Sequence, residues 1–130
     1  MSQKNIPDSS CKYFNEKEET LSREQIEALQ LERLQATVKH CMNSPFYKKR
    51  FEEAGLKPED IKTLDDVRKI PFTTKQDLRD TYPFGMASAP LRDCIRLHSS
   101  SGTTGNPTVI LHTQNDIDEW ANQVARNLWM

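Results

Sequence analysis

Apolar residues recur at helical spacing along most of the chain and give way to short β-branched runs towards its end. Ser22-Arg23-Glu24-Gln25 carries a capping-box signal, and Ile26, Leu29, Leu34 and Val38 behind it fall on one stripe. A helix from this cap to about His40 is predicted. Ser44 followed by Pro45 opens a second helix, because proline's missing N–H is no loss at the first helical position, and Gly55 is placed to end it. Two shorter helices are predicted after Thr63 and after Thr73 or Thr74. Ile70-Pro71 parts them, since a residue preceding proline is pushed out of helical geometry. Tyr82-Pro83-Phe84-Gly85 reads as a turn leading towards the first strand.

Beyond that turn the period changes. Cys94-Ile95-Arg96-Leu97-His98 and Thr108-Val109-Ile110-Leu111-His112 are short and β-rich, and they flank the run Ser99 to Pro107, so the segment predicts a strand–loop–strand unit. A last helix, capped by Thr113 or Asn115, would carry Ile117, Trp120, Ala121, Val124 and Leu128 on one stripe. No polar cap ends it before Met130. The predicted fold class is α/β, with amino-terminal helices preceding a small β unit. Residues 1–20 read as a polar tail in which Tyr13 and Phe14 are placed to pin it elsewhere on the protein. Residues 21–130 read as one unit.

The loop holds the densest candidate chemistry. Gly102 and Gly105 permit positive φ and close backbone approach, while Ser100, Ser101, Thr103 and Thr104 supply short hydroxyls. Backbone N–H groups and hydroxyls gathered in a tight turn can cradle a polyphosphate. A surface turn of the same composition without a ligand is the plainer alternative, and the ordered spacing favours the cradle. A Walker loop is excluded, because no lysine follows the second glycine, and the dinucleotide fingerprint fails as well.

The order Ser-Gly-Thr-Thr-Gly-x-Pro resembles the phosphate-binding loop of the adenylate-forming superfamily. Leu31-Glu32-Arg33-Leu34, Ser44-Pro45-Phe46-Tyr47, Ile70-Pro71-Phe72-Thr73-Thr74-Lys75 and the run Asp77 to Gly85 resemble the amino-terminal region of its phenylacetate-coenzyme A ligase branch. The resemblance runs from about Tyr13 to the end. Thr108 stands where the wider superfamily commonly has lysine, which is similar to that branch.

The resemblance implies that residues 21–130 are an incomplete amino-terminal subdomain, part of the large amino-terminal domain of an adenylate-forming enzyme. It implies an aryl-acid ligase that uses ATP, magnesium and coenzyme A, with Ser100, Ser101, Gly102, Thr103, Thr104 and Gly105 binding the nucleotide phosphates. An aryl acid and the carboxy-terminal part of the ligase are the implied partners. In the family the adenine motif, the acidic magnesium ligand, the ribose-binding aspartate and the catalytic lysine follow the loop. No catalytic or metal-binding residue is therefore assigned here, and the 130-residue chain alone is expected to be inactive. Two other readings stand beside this one: an AMP-transferring enzyme similar to coenzyme F390 synthetase, and a non-catalytic interaction module built on the helices.

Composition narrows the remaining possibilities. Charged residues make up 28%, and 18 basic against 19 acidic side chains give a net charge of −1, so no positive field points to nucleic acid or an anionic membrane. Met1 to Ser10 lacks an apolar core, and no apolar run approaches the roughly 18 residues needed to span a bilayer. A cytoplasmic protein is expected. Cys11, Cys41 and Cys94 are odd in number and far apart, which suits reduced thiols, and no metal-ligand spacing appears. His40 reads as an ordinary helix-end residue. His98 and His112, on opposite flanks of the loop, could face each other, the site or solvent, the last being the plainer reading.

Phe46, Tyr47 and Phe51 are read as core rather than as an aryl-acid pocket, and Lys48-Lys49-Arg50 as a solvated face. Lys75 precedes the loop but matches no catalytic lysine. The apolar stripe of the last helix predicts self-association, so a homo-oligomer is expected.

Overall fold

The computed structural model describes residues 11–102 and 105–129. Thr103, Thr104, Met130 and the first ten positions of the expected tail lie outside them.

Within the remainder of that tail, Asn15 caps a single helical turn, α1 (Glu16–Glu19), its side chain accepting the Glu18 N–H at 3.3 Å. The next helix, α2 (Arg23–Cys41), starts at the expected capping box. The Gln25 N–H donates to Ser22 Oγ at 3.3 Å, and the Ser22 N–H donates back to the Gln25 side chain at 2.9 Å. Ser44 precedes α3 (Pro45–Glu53). That helix is stopped by Gly55 at φ +62°, where the Leu56 N–H turns back to the Phe51 carbonyl at 3.0 Å. No atom crowds a side chain there, so the left-handed backbone alone demands glycine.

The segment after Thr63 forms a 3₁₀ helix (Leu64–Lys69) rather than an α-helix. Ile70-Pro71 halts it after six residues, a long run for 3₁₀ winding, which is mostly used in pieces of about three or four. Further 3₁₀ turns lie at Pro58–Asp60 and Leu91–Asp93, which the apolar pattern does not signal. Thr74, not Thr73, caps α4 (Lys75–Asp80), exchanging bonds with Asp77.

Val38 from α2, Phe51 from α3 and Ile61 form the buried core, with Leu34, Met42, Leu56 and Ile70 packed against them. Of the expected α2 stripe only Val38 is fully buried. Gln35 Nε2 donates to the Ile61 carbonyl at 2.8 Å and ties the chain after Pro58–Asp60 back onto α2.

The β unit is an antiparallel pair, β1 (Cys94–Ser99) and β2 (Val109–Thr113), leading directly into α5 (Gln114–Trp129). Arg96 pairs with His112, Leu97 with Leu111, His98 with Ile110 and Ser99 with Val109, after an irregularity between Cys94 and Arg96. Directly paired residues share a face. Arg96, His98, Ile110 and His112 therefore lie on one side, and Leu97, Ser99, Val109 and Leu111 on the other. Thr113, not Asn115, starts α5, its N–H and hydroxyl donating to the Asp116 carboxylate at 2.7 and 2.9 Å.

The amino-terminal segment is fastened to the far end of α5. Phe14 meets Trp129 edge-on, and Arg126 approaches Glu18 at 3.3 Å and Glu19 at 3.7 Å, while Glu18 also pairs with Arg33 of α2. Of Tyr13 and Phe14, the two residues expected to pin this segment, Phe14 makes the contact.

Candidate functional site

The loop between β1 and β2 is closed at its stem by two bonds between the same two residues. The Ser100 N–H donates to the Thr108 carbonyl at 3.0 Å, and the Thr108 N–H donates to Ser100 Oγ at 2.9 Å. The Ser100 hydroxyl keeps its own proton for another acceptor. Gly102 and Gly105 both have positive φ, +68° and +128°, as the sequence predicts. The Gly105 N–H donates to the Gly102 carbonyl at 3.2 Å and draws the tip into a turn. At Gly102 a side chain would also come within 3.3 Å of the Gly105 carbonyl oxygen and 3.4 Å of Pro107 Cδ. Two independent constraints therefore hold glycine at that position.

Ser100, Ser101 and Gly105 are open to solvent and Gly102 is half-buried, so four of the six predicted phosphate-binding residues share one accessible turn. Thr103 and Thr104 are the two that lie outside the described residues. Lys75 is exposed at the first position of α4.

The stem carries a cluster that the sequence shows only in part. His98 and His112 are half-buried rather than free on the strand surface, and their rings lie 4.9 Å apart. Trp120 of α5 covers both, edge-on to His98 at 5.5 Å and stacked on His112 at 5.9 Å. The Arg96 guanidinium sits 5.3 Å from the Trp120 ring centre. Alternation along the strands places the histidines on one face. Their burial depends on the position of Trp120, which strand spacing alone does not give.

A groove of about 800 Å³ lies between α4 with the turn behind it and β2 with the start of α5. Tyr47 lines it, its hydroxyl accepting from Thr73 Oγ1 at 3.2 Å. The aromatic trio is thus divided: Phe51 is core as expected, whereas Tyr47 faces the groove. Arg50 departs from the expected solvated face, bonding to Asp77 of α4 and standing 5.1 Å over the Phe46 ring. Lys48 and Lys49 remain exposed. Cys11, Cys41 and Cys94 are free thiols, and burial pushes Cys41 above the ordinary thiol value. Among the described residues no three His, Cys, Asp or Glu side chains converge to hold a metal.

The helices, hairpin and α5 together match the amino-terminal part of an adenylate-forming CoA ligase. A crystal structure of 2-hydroxyisobutyryl-CoA ligase, in complex with 2-HIB-AMP and CoA, superposes with a TM-score of 0.89 at 30% identity, covering 99% of this chain and 28% of that one. The sequence likeness is to one kind of such ligase, phenylacetate-coenzyme A ligase. The chain is 54% identical over 111 residues to that of Escherichia coli (strain K12) and 52% identical to that of Pseudomonas putida. In each case the match takes in 85% of this chain and 25% of the relative's length. No protein-family model matches the chain.

Proposed function

We propose that the turn at Ser100 to Gly105 is the ATP phosphate-binding element of an aryl-acid coenzyme A ligase, with phenylacetate as the acid activated. The carrying observation is the doubly tied stem that presents two positive-φ glycines and short hydroxyls at an open tip, within a chain so similar to phenylacetate-coenzyme A ligases. In the reaction the acid's carboxylate attacks the α-phosphorus of ATP, forming an acyl-adenylate and releasing pyrophosphate. The thiol of coenzyme A then attacks the acyl carbon and displaces AMP.

Negative charge accumulates on the phosphate oxygens as pyrophosphate leaves. N–H groups and hydroxyls already fixed by the turn hold that charge without reorganising, which is the economical form of electrostatic stabilisation. The same contacts orient the β- and γ-phosphates so that the α-phosphorus lies in line with the incoming carboxylate. Magnesium would neutralise further phosphate charge. The described residues do not by themselves make a magnesium site. No helix among them is long and apolar enough to cross a membrane.

The test is acid-dependent ATP–pyrophosphate exchange in the full-length protein, comparing wild type with Thr103→Val/Thr104→Val. Valine removes each hydroxyl at nearly constant volume. A hydrogen bond to a charged group contributes about 1.5–3 kcal/mol, so losing two slows adenylation by at least about a hundredfold with the thermal melt unchanged. Exchange within about twofold of wild type removes the loop from the nucleotide site.

A further inference from the structure

We propose that His98 and His112 form a proton-sensitive clasp between the stem of the loop and α5, holding the hairpin against Trp120 while both imidazoles are neutral and loosening it when either takes up a proton.

Three observations meet here. The rings are 4.9 Å apart, so a charge on one is close to the other, and Arg96 on the same strand face already supplies a fixed positive charge. His112 Nδ1 is buried and has no hydrogen-bond partner. In the neutral ring that nitrogen can remain an unprotonated acceptor, whereas imidazolium makes both ring nitrogens donors and would leave a buried N–H unsatisfied. Trp120 closes the cluster from α5, stacked on one ring and edge-on to the other.

The surrounding charges do not all act in one direction. Arg96 comes from β1, Asp116 from α5, and His40 from the end of α2 acts on Asp116. The Asp116 carboxylate, held as the α5 cap by the Thr113 N–H and hydroxyl, attracts a charge on His112, so the repulsion from Arg96 bears chiefly on His98. Partial burial, then the charges of Arg96 and His112, hold His98 below the ordinary imidazole value. With the folded value depressed, the unfolded chain binds more protons once the pH falls through about 6.5, so the clasp's contribution is present above that range and lost below it.

The consequence reaches the loop because the cluster sits on its stem. His98 lies two positions before Ser100, and the chain runs from Thr108 through β2 to His112, so the Ser100–Thr108 bonds lie directly beyond the Ser99–Val109 end of the ladder that carries both histidines. A looser stem frees the tip that it closes.

The experiment follows the imidazole resonances and the exchange of the Ser100 amide in the chain between about pH 7.5 and 5.5. His98 should titrate below the ordinary histidine value. Arg96→Gln, at an exposed position and keeping both imidazoles, should raise its midpoint by about half a unit. Ser100 amide exchange, corrected for its intrinsic pH dependence, should accelerate at least about fivefold on acidification in wild type and not in His98→Gln/His112→Gln. An Arg96→Gln midpoint equal to wild type, or no excess exchange at low pH in the wild-type chain, overturns the clasp. Because Arg96→Gln retains both histidines, the test stands even if the double variant does not fold.

Discussion

Phe14 and Trp129, at opposite ends of the described chain, meet edge-to-face with ring centroids 6.1 Å apart. Beside them Arg126 is bracketed by Glu18 and Glu19, and Glu18 reaches on to Arg33. One small network thus joins the segment before α2 to the end of α5. Aromatic pairs in this arrangement contribute about 0.5–1.5 kcal/mol beyond the area they bury. Phe14→Ala and Trp129→Ala should therefore be non-additive, with a coupling of that size in a double-mutant cycle read by urea unfolding. Additive losses would mean that the rings are merely neighbours.

Two serines at helix starts should answer oppositely to alanine. Ser22 exchanges capping bonds with Gln25, so Ser22→Ala should cost about 1 kcal/mol. Ser44 is fully buried at 0% exposure, makes no capping bond through its side chain, and has a hydroxyl without a partner. Ser44→Ala removes a buried unsatisfied group, and the thermal midpoint should stay level or rise. A drop as large as that of Ser22→Ala would show that the hydroxyl has found a partner.

The capping carboxylates predict acid sensitivity. Asp66 is held well below the ordinary range by its bond to Lys69, then by the Lys62 and Thr63 amides and the Thr63 hydroxyl. Asp77 is lowered chiefly by the Thr74 hydroxyl and amide, with a smaller share from Arg50, and Asp116 chiefly by the Thr113 amide. Each is depressed in the folded chain. Their stabilisation is therefore complete above the unfolded value near pH 4 and disappears as the pH falls through the folded ones. The urea midpoint should decline below about pH 4, and the decline should be shallower in Asp66→Asn/Asp77→Asn. An unchanged acid limb would assign the loss to other groups.

What could be read in the sequence is what neighbouring residues decide. The caps at Ser22 and Thr74, the glycine stop at Gly55 and the positive φ of Gly102 and Gly105 each depend on a few consecutive positions. Six residues between Thr63 and Ile70 cannot distinguish a period of 3.0 from one of 3.6, so the 3₁₀ winding of Leu64–Lys69 was not legible. Long-range pairings were hidden for a different reason. Arg50 looks like the third member of a basic run until α4 brings Asp77 to it, and the histidines look like surface residues until α5 lays Trp120 over them. For the loop, the order of glycines and hydroxyls gave the candidate residues, but the Ser100–Thr108 double tie depends on the strand register.

The apolar side of α5 supplies the last prediction. Trp120 is 45% exposed, Val124 46% and Leu128 83%, and none of the stripe Ile117, Trp120, Ala121, Val124 and Leu128 is fully buried. Covering a large apolar side chain is favourable by roughly 1.5–3 kcal/mol, so three on one helical face offset much of the entropic cost of bringing two molecules together. Light scattering across a concentration series should show the 130-residue chain associating. Trp120→Gln/Val124→Gln/Leu128→Gln should keep it monomeric and leave the helical signal intact, because these side chains contribute little to the buried core. High salt separates this contact from the Glu18–Arg126 network: screening weakens exposed ion pairs and leaves apolar association unweakened. A wild-type chain that stays strictly monomeric at every concentration would show that the stripe lacks the area or shape to self-associate.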